Sequence, residues 1–87
     1  MSKYSTIFIG KISSRVHTSD IEHKFEKYGR IKEIDYRKDR GFAFVEYSHR
    51  EDAKYAIKKM EGRHLKSNRI IVEFKGIIII LIKRRKF

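Results

Sequence analysis

The spacing of apolar residues predicts four strands and two helices along the chain. Apolar and polar side chains alternate over residues 6–12, 31–36, 40–47 and 69–74, as they do in half-buried strands. Two intervening segments repeat apolar residues every three or four positions, which is typical of helices packed on one side. The repeating residues are Ile21, Phe25 and Tyr28 in the first segment, and Ala53, Ala56, Ile57 and Met60 in the second.

The predicted order is strand–helix–strand–strand–helix–strand, the split βαβ pattern. It predicts an α+β, ferredoxin-like (βαββαβ) fold with a four-stranded antiparallel sheet and two helices on one face. Ser19 with Glu22, and Ser48 with Glu51, have the spacing of capping boxes and predict where the helices begin, the first of them at Thr18 or Ser19. Glycines at 29 and 62 predict where the helices end.

The two faces of the third strand differ in an unusual way. Its inward positions, Gly41, Ala43, Val45 and Tyr47, are small or apolar, whereas Arg40, Phe42, Phe44 and Glu46 point to the face that two helices would leave bare. Exposed aromatic rings lower solubility unless a flat partner stacks on them, and nucleic-acid bases are flat. The alternative is an ordinary half-buried strand whose aromatic residues are covered by another part of the chain.

Residues 40–47, Arg-Gly-Phe-Ala-Phe-Val-Glu-Tyr, satisfy every position of the octapeptide K/R-G-F/Y-G/A-F-V-x-F/Y. The chain therefore resembles the RNA-recognition motif (RRM) family, over residues 4–75. The first strand resembles the family's hexapeptide, in which the second residue, here Phe8, stacks on a base. Lys11 and Ile12 stand where the family usually has Asn and Leu, and Lys11 is a candidate phosphate contact.

The resemblance and the strand faces together predict an RNA-binding surface. Phe8, Phe42 and Phe44 would stack two or three bases of a single strand. The family's basic residue, here Arg40, meets a backbone phosphate, and the short loop after the second strand adds positive charge. Asp35, Glu46 and Glu73 are either acceptors for base amino groups or solvated charges, and both interpretations remain open. The complete predicted set is Phe8, Lys11, Arg37, Lys38, Arg40, Phe42, Phe44, Glu73 and Lys75.

Composition and charge agree with a polyanionic ligand. Among 87 residues, 22 Lys and Arg against 11 Asp and Glu give a net charge of +11, which favours nucleic acid over other partners. The chain has no cysteine, and its four histidines lie in separate segments without metal-ligand spacing. No glycine-rich phosphate loop is present either. We therefore expect no enzymatic activity, no catalytic residues, no metal and no cofactor.

Several short segments are similar to the amino-terminal RRM of SR-type splicing factors. They are residues 28–31, 34–36, 42–47 and 72–74. This resemblance implies a nuclear protein of pre-mRNA splicing or mRNA processing, with single-stranded pre-mRNA or mRNA and other ribonucleoprotein components as partners. Such factors continue into an Arg-Ser-rich tail, which this sequence does not contain. The alternative function is a protein-interaction module of RRM type within a ribonucleoprotein complex.

Residues 76–87 lie outside the family pattern. Residues 77–82 are apolar and uncharged, with high β-propensity, but are too few to span a membrane, and no membrane partner is predicted. Three interpretations are open: an added strand or flap packed on the domain, a partner-binding segment, or a translation that runs past an exon boundary. The basic run 83–86 is a weak match to nuclear-import or phosphate-binding segments.

Overall fold

The computed structural model describes residues 2–84. Its elements follow in chain order: β1 (Thr6–Gly10), α1 (Thr18–Phe25), β2 (Ile31–Arg37), β3 (Phe42–Tyr47), α2 (Arg50–Met60), β4 (His64–Leu65), β5 (Asn68–Arg69), β6 (Ile71–Phe74) and α3 (Lys75–Arg84). Strands β2, β3, β1 and β6 form one antiparallel sheet in that order, and β4 and β5 form a separate hairpin. The predicted four-stranded ferredoxin-like sheet is confirmed.

The core lies between the sheet and helices α1 and α2. Inward-facing strand residues and the apolar stripes of both helices are buried in a single cluster, which includes Ile7, Val45 and Val72 from the sheet. The buried Tyr47 hydroxyl donates a hydrogen bond to the carbonyl oxygen of Phe25 at 2.6 Å, tying β3 to the end of α1. Burial raises the pKa of the Tyr47 hydroxyl far above its ordinary value.

A bulge in β2 brings an additional residue, Ile31, to the inward face of the sheet. Ile31 and Ile34 both pack against the core although they are three residues apart, because the pairing with β3 shifts between Ile31 and Glu33. An extra residue in one strand reverses the parity of the positions before it. Simple alternation groups Ile34 with Tyr36 and leaves Ile31 on the opposite face, so this addition to the core was not predicted.

Both helices begin close to the predicted positions, but the predicted capping residues are wrong. The N-cap of α1 is His17, whose backbone N–H donates to Asp20 Oδ2 at 2.8 Å, and the N-cap of α2 is His49. Asp20 thus holds the position predicted for Glu22, and this hydrogen bond lowers its pKa. The segment before α1 carries capping-type residues in several overlapping registers, so spacing alone does not select one.

The chain after α2 differs most from the prediction. Gly62 follows the helix with a φ of +76°, and a hairpin then turns at Lys66, which has a φ of +58°. Arg69 therefore belongs to β5, and the last sheet strand begins two residues later than predicted, at Ile71.

The Ile-rich segment forms helix α3 and not an added strand. A short apolar run cannot be assigned to helix or strand by periodicity alone, because every position is apolar. Lys75, a member of the predicted RNA-binding set, is the first residue of α3. Of the predicted basic run, Lys83 and Arg84 end this helix, and residues 85 and 86 lie outside the described part of the chain. No helix within residues 2–84 is long and apolar enough to cross a membrane.

Candidate nucleic-acid interface

Three phenylalanine rings form a compact cluster on the sheet face opposite α1 and α2. The ring centres of Phe8 and Phe42 are 5.8 Å apart, and both the Phe8–Phe44 and Phe42–Phe44 distances are 5.7 Å. All three side chains are partly exposed. We call this cluster the aromatic platform.

Strand pairing explains why the platform forms. Phe8 of β1 lies directly opposite Phe44 of β3, and Phe42 lies two residues along β3 on the same face. The Phe8 ring leans along its own strand over Gly10, where a Cβ atom would be only 2.8 Å from Phe8 Cε2. Gly10 thus provides the space that the ring occupies, and the platform depends on two central strands far apart in sequence.

Polar side chains flank the platform on both sides. Glu73 of β6 lies opposite Phe8, and its Oε1 accepts the backbone N–H of Phe74 at 2.8 Å. Asp35 of β2 lies opposite Phe44 on the other side. A carboxylate, which is a hydrogen-bond acceptor, therefore lies at each edge of the platform.

Arg37, also in the predicted set, is paired within the protein. Its Nε lies 3.0 Å from Asp35 Oδ1, and a terminal guanidinium nitrogen lies 3.3 Å from Asp35 Oδ2. This bidentate pair orients the Asp35 carboxylate beside the platform and offsets part of the Arg37 charge. In the turn that follows, Lys38 Nζ lies 3.4 Å from His17 Nδ1.

Glu46 is not a solvated charge, contrary to one of the two interpretations. Its side chain is buried, and its Oε2 accepts the backbone N–H of Ser2 at 3.2 Å. The amino-terminal segment covers this position, and nothing in the strand pattern indicates that cover. Glu46 is therefore a structural acceptor in the described part of the chain.

An open cleft beside one end of the platform is lined by three cations, Lys11, Arg40 and Arg69. The cleft has a volume of about 610 Å³, and its other lining residues are Ile12, Gly41, Ser67 and Asn68. None of its lining residues is acidic. We call it the cationic cleft.

The backbone around the cationic cleft is held by specific hydrogen bonds. The Ile12 N–H donates to the Gly41 carbonyl at 2.8 Å, and Asn68 Nδ2 donates to the Lys11 carbonyl at 3.2 Å. Gly41 has a φ of +74°, and an added Cβ would lie 3.1 Å from the Ile12 carbonyl oxygen. The octapeptide glycine is thus required by this left-handed turn, which presents Arg40 at the cleft.

Arg69 is the one cation of the cleft that the sequence prediction missed. The alternation pattern predicts Arg69 as the start of the last strand, whereas the β4–β5 hairpin places it in the same cleft lining as Lys11 and Arg40. The available signal was the polar Lys66-Ser67-Asn68 turn, which is short enough for a hairpin.

The nine predicted residues thus fall into three groups. Phe8, Phe42, Phe44 and Glu73 lie at the platform, where the Lys75 ammonium lies over Phe44 at 5.0 Å from its ring centre. Lys11 and Arg40 line the cationic cleft, and Arg37 and Lys38 lie at the end of β2 and in the turn after it. Within residues 2–84, no three His, Cys, Asp or Glu side chains are grouped to hold a metal ion.

Comparison with known proteins identifies the family. A family model described as the RNA recognition motif matches residues 7–71. The chain is 40% identical over 67 residues to serine/arginine-rich splicing factor RS2Z32 of Arabidopsis thaliana, covering 77% of this chain and 23% of that protein. It is 34% identical over 92 residues to the U1 small nuclear ribonucleoprotein 70 kDa of Dictyostelium discoideum, covering 97% of this chain and 20% of that protein.

A solved structure of the Caenorhabditis elegans NONO-1 homodimer matches with a TM-score of 0.79 and 25% identity, covering 84% of this chain and 29% of that one. This chain spans about a quarter of the length of the relatives it matches. The family match and the octapeptide on β3 concern the same region. This chain belongs to the RNA recognition motif family.

Proposed function

We propose that this chain is a single-stranded RNA-binding protein that acts in pre-mRNA splicing or mRNA processing, with residues 4–75 as its RNA-binding module. The observation that carries the proposal is the aromatic platform, whose three rings lie within 6 Å of one another on a face that α1 and α2 do not cover. Each base stacked on an aromatic ring contributes about 1–3 kcal/mol, whatever its identity. Two or three stacked bases therefore supply a substantial part of the binding free energy for a single-stranded RNA.

Charge supports a path for the RNA backbone beside the platform. Lys11, Arg40 and Arg69 converge on one cleft without an acidic residue in its lining. Phosphates of the nucleotides next to the stacked bases would bind there, since a backbone phosphate accepts hydrogen bonds from both Lys and Arg. This electrostatic part of the affinity falls as salt rises.

Base preference would come from the carboxylates at the platform edges. The Glu73 Oε1 atom is engaged by the Phe74 N–H, which fixes the side chain and leaves Oε2 for a base. Asp35 is held by Arg37 on the opposite side. Carboxylates accept hydrogen bonds, so amino and imino groups of bases are the partners that these two positions favour.

The role in splicing and the nuclear location rest on the relatives. Their names describe a serine/arginine-rich splicing factor and a U1 small nuclear ribonucleoprotein, and other ribonucleoprotein components are partners consistent with both. The family resemblance favours RNA recognition over catalysis.

A comparison of two variants on a degenerate single-stranded RNA pool tests the proposal. Phe42→Ala, Phe44→Ala removes two platform rings, and we expect a loss of a few kcal/mol in binding free energy at both low and high salt. Tyr4→Ala removes an exposed aromatic ring outside the platform and should bind like the parent. Fluorescence anisotropy measures binding, and circular dichroism checks that both variants are folded.

A folded double variant that binds RNA as tightly as the parent would overturn the stacking proposal. If salt then weakened both proteins equally, the attraction would be charge alone. The platform would in that case be reserved for a protein partner, which is the alternative function.

A further inference from the structure

A second basic cleft lies on the helix side of the domain, away from the aromatic platform. It is formed where the ends of α1 and α2 meet β4, and it has a volume of about 450 Å³. Lys24, Lys27, Lys59, Arg63 and His64 line it together with Tyr28. We call it the helix-side cleft. No residue of the RNA-recognition octapeptide or hexapeptide contributes to it.

The cations of this cleft are not neutralised by neighbouring carboxylates. Within residues 2–84, the two ion pairs are Arg37–Asp35 and Lys66–Asp20, and neither involves the cleft. Glu61, the acidic residue next to α2's last turn, directs its Oε1 to the backbone N–H of Val72. Glu22 and Glu26 line a neighbouring depression that shares Lys27 with the cleft. The lining of the cleft itself contains no acidic residue, so the cleft keeps a net positive charge.

Stabilisation of the helix ends does not account for so many cations. Lys24 and Lys59 lie in the last turns of α1 and α2, where a cation is favourable because the helix end carries about half a negative charge. Two such ends offset about one elementary charge. The cleft contains four positive charges, on Lys24, Lys27, Lys59 and Arg63, so most of its positive charge is not offset by the helix ends. A concave site concentrates this electrostatic field and attracts anions.

Aromatic rings next to the cleft favour RNA over an acidic peptide. Tyr28 lines the cleft and packs edge-on against Tyr55 with a ring-centre distance of 5.6 Å. Lys27 and Lys59 lie over these rings, each at 5.4 Å from a ring centre, and Tyr55 is 48% exposed. Cations combined with an accessible aromatic face are the combination that binds phosphates and stacks bases of a single strand.

We infer that the helix-side cleft binds the phosphate backbone of single-stranded RNA that extends beyond the segment on the aromatic platform. The inference rests on the proposed function, because the platform supplies the first attachment. The domain extends no more than 38 Å along any principal axis, so one long strand can pass around an edge and contact both faces. A short RNA would occupy the platform alone, and a longer RNA would occupy both sites.

The test compares two double variants on RNAs of about 5 and about 20 nucleotides. Lys24→Gln, Lys59→Gln removes two charges from the cleft. Lys54→Gln, Lys58→Gln removes two charges from exposed positions of α2 that do not line it. On the long RNA, we expect the cleft variant to bind on the order of tenfold more weakly than the parent at about 0.1 M salt. Its slope of log K against log salt should fall by about 0.7 for each lost phosphate contact.

The control variant should lose much less on the long RNA, and all three proteins should bind the short RNA alike. Equal losses in the cleft and control variants would overturn the inference, because the attraction would then be a diffuse field. Unchanged long-RNA binding in the cleft variant would also overturn it. If that variant instead lost binding to a phosphoserine-rich peptide, the site would belong to a protein partner.

Phe42→Ala, Phe44→Ala, measured in parallel on the short RNA, separates the two proposals. If this variant binds the short RNA more weakly than the parent, stacking on the platform is supported. If the cleft and control variants then bind the long RNA equally well, the helix-side cleft is rejected. If the platform variant binds the short RNA as tightly as the parent, stacking is rejected, and the comparison of the cleft and control variants on the long RNA still tests the helix-side cleft.

Discussion

The ammonium group of Lys75 lies over the ring of Phe44, 5.0 Å from its centre. Lys75 is the first residue of α3, so the helix that follows the sheet places a cation on the aromatic platform. Such a contact contributes about 0.5–1 kcal/mol at an exposed site. Under the proposed function, a base that stacked on this face of Phe44 would displace the ammonium and free it to contact a phosphate.

Lys75→Ala should therefore change RNA binding in opposite directions at the two ends of a salt titration. The variant loses one phosphate contact, so its slope of log K against log salt should be smaller by about 0.7. At high salt it should bind more tightly than the parent, because the base no longer competes with a cation. Lys3→Ala, which removes a cation lying over Tyr4, is the matched control. An equal loss at every salt concentration would instead indicate a direct contact between Lys75 and a base.

Gly10→Ala should weaken RNA binding with little effect on stability. The new Cβ would lie 2.8 Å from Phe8 Cε2 and 3.0 Å from Cζ, so the ring must move off its position in the platform. Alanine in place of a strand glycine otherwise stabilises by about 0.5–1 kcal/mol, which offsets the cost of moving a ring end. We expect a binding loss of up to about 1–3 kcal/mol, the contribution of one stacked base.

A double-mutant cycle measured by anisotropy checks this mechanism. If Gly10→Ala acts only through the Phe8 ring, it should have no further effect in a Phe8→Ala background. Additive losses would show that Gly10 contributes in another way. Chemical denaturation of each variant gives the corresponding stabilities.

Tyr47→Phe should lower the free energy of unfolding and should also make that free energy less dependent on pH in the alkaline range. The substitution removes the hydrogen bond from the buried hydroxyl to the Phe25 carbonyl, at a cost of about 1–3 kcal/mol. Burial raises the folded-state pKa of Tyr47 above the unfolded value of about 10. The stabilisation from the neutral hydroxyl is therefore complete below pH ~10 and is lost as pH rises from there toward the folded pKa, since the unfolded chain releases its proton first.

Urea denaturation at neutral pH and above pH ~10 measures both effects. The parent should lose free energy of unfolding more steeply than Tyr47→Phe over the alkaline range. Tyr4→Phe, at an exposed position, controls for loss of a hydroxyl. Parallel curves for the parent and Tyr47→Phe would contradict the assignment of this alkaline sensitivity to Tyr47.

The sheet and its platform were predictable because strand alternation acts over short distances. Ile7, Ile9, Ala43 and Val45 all take the inward positions that their parity predicts, and the three phenylalanines consequently share the other face. The octapeptide also predicts a glycine at position 41, which the alternation of apolar and polar residues does not.

The remaining features depend on contacts between distant segments. Glu46 is buried because Ser2 folds over it, and Arg69 joins Lys11 because a two-residue strand turns it back. The helix-side cleft likewise combines Lys24 with Arg63, which belong to unrelated sequence patterns. The spacing of residues along the chain does not indicate such contacts between distant segments.

The sheet order also constrains how the protein folds as it leaves the ribosome. Strand β1 is the first strand of the sheet to be synthesised, yet it lies between β3 and β6. Strand β6, whose Glu73 pairs with Phe8 of β1, is the last strand of the sheet to be synthesised. Until residue 74 has emerged, β1 has one free edge, with unpaired backbone groups open to other chains. Vectorial synthesis thus delivers a partly assembled sheet, which closes only after β6 has been made and has paired with β1.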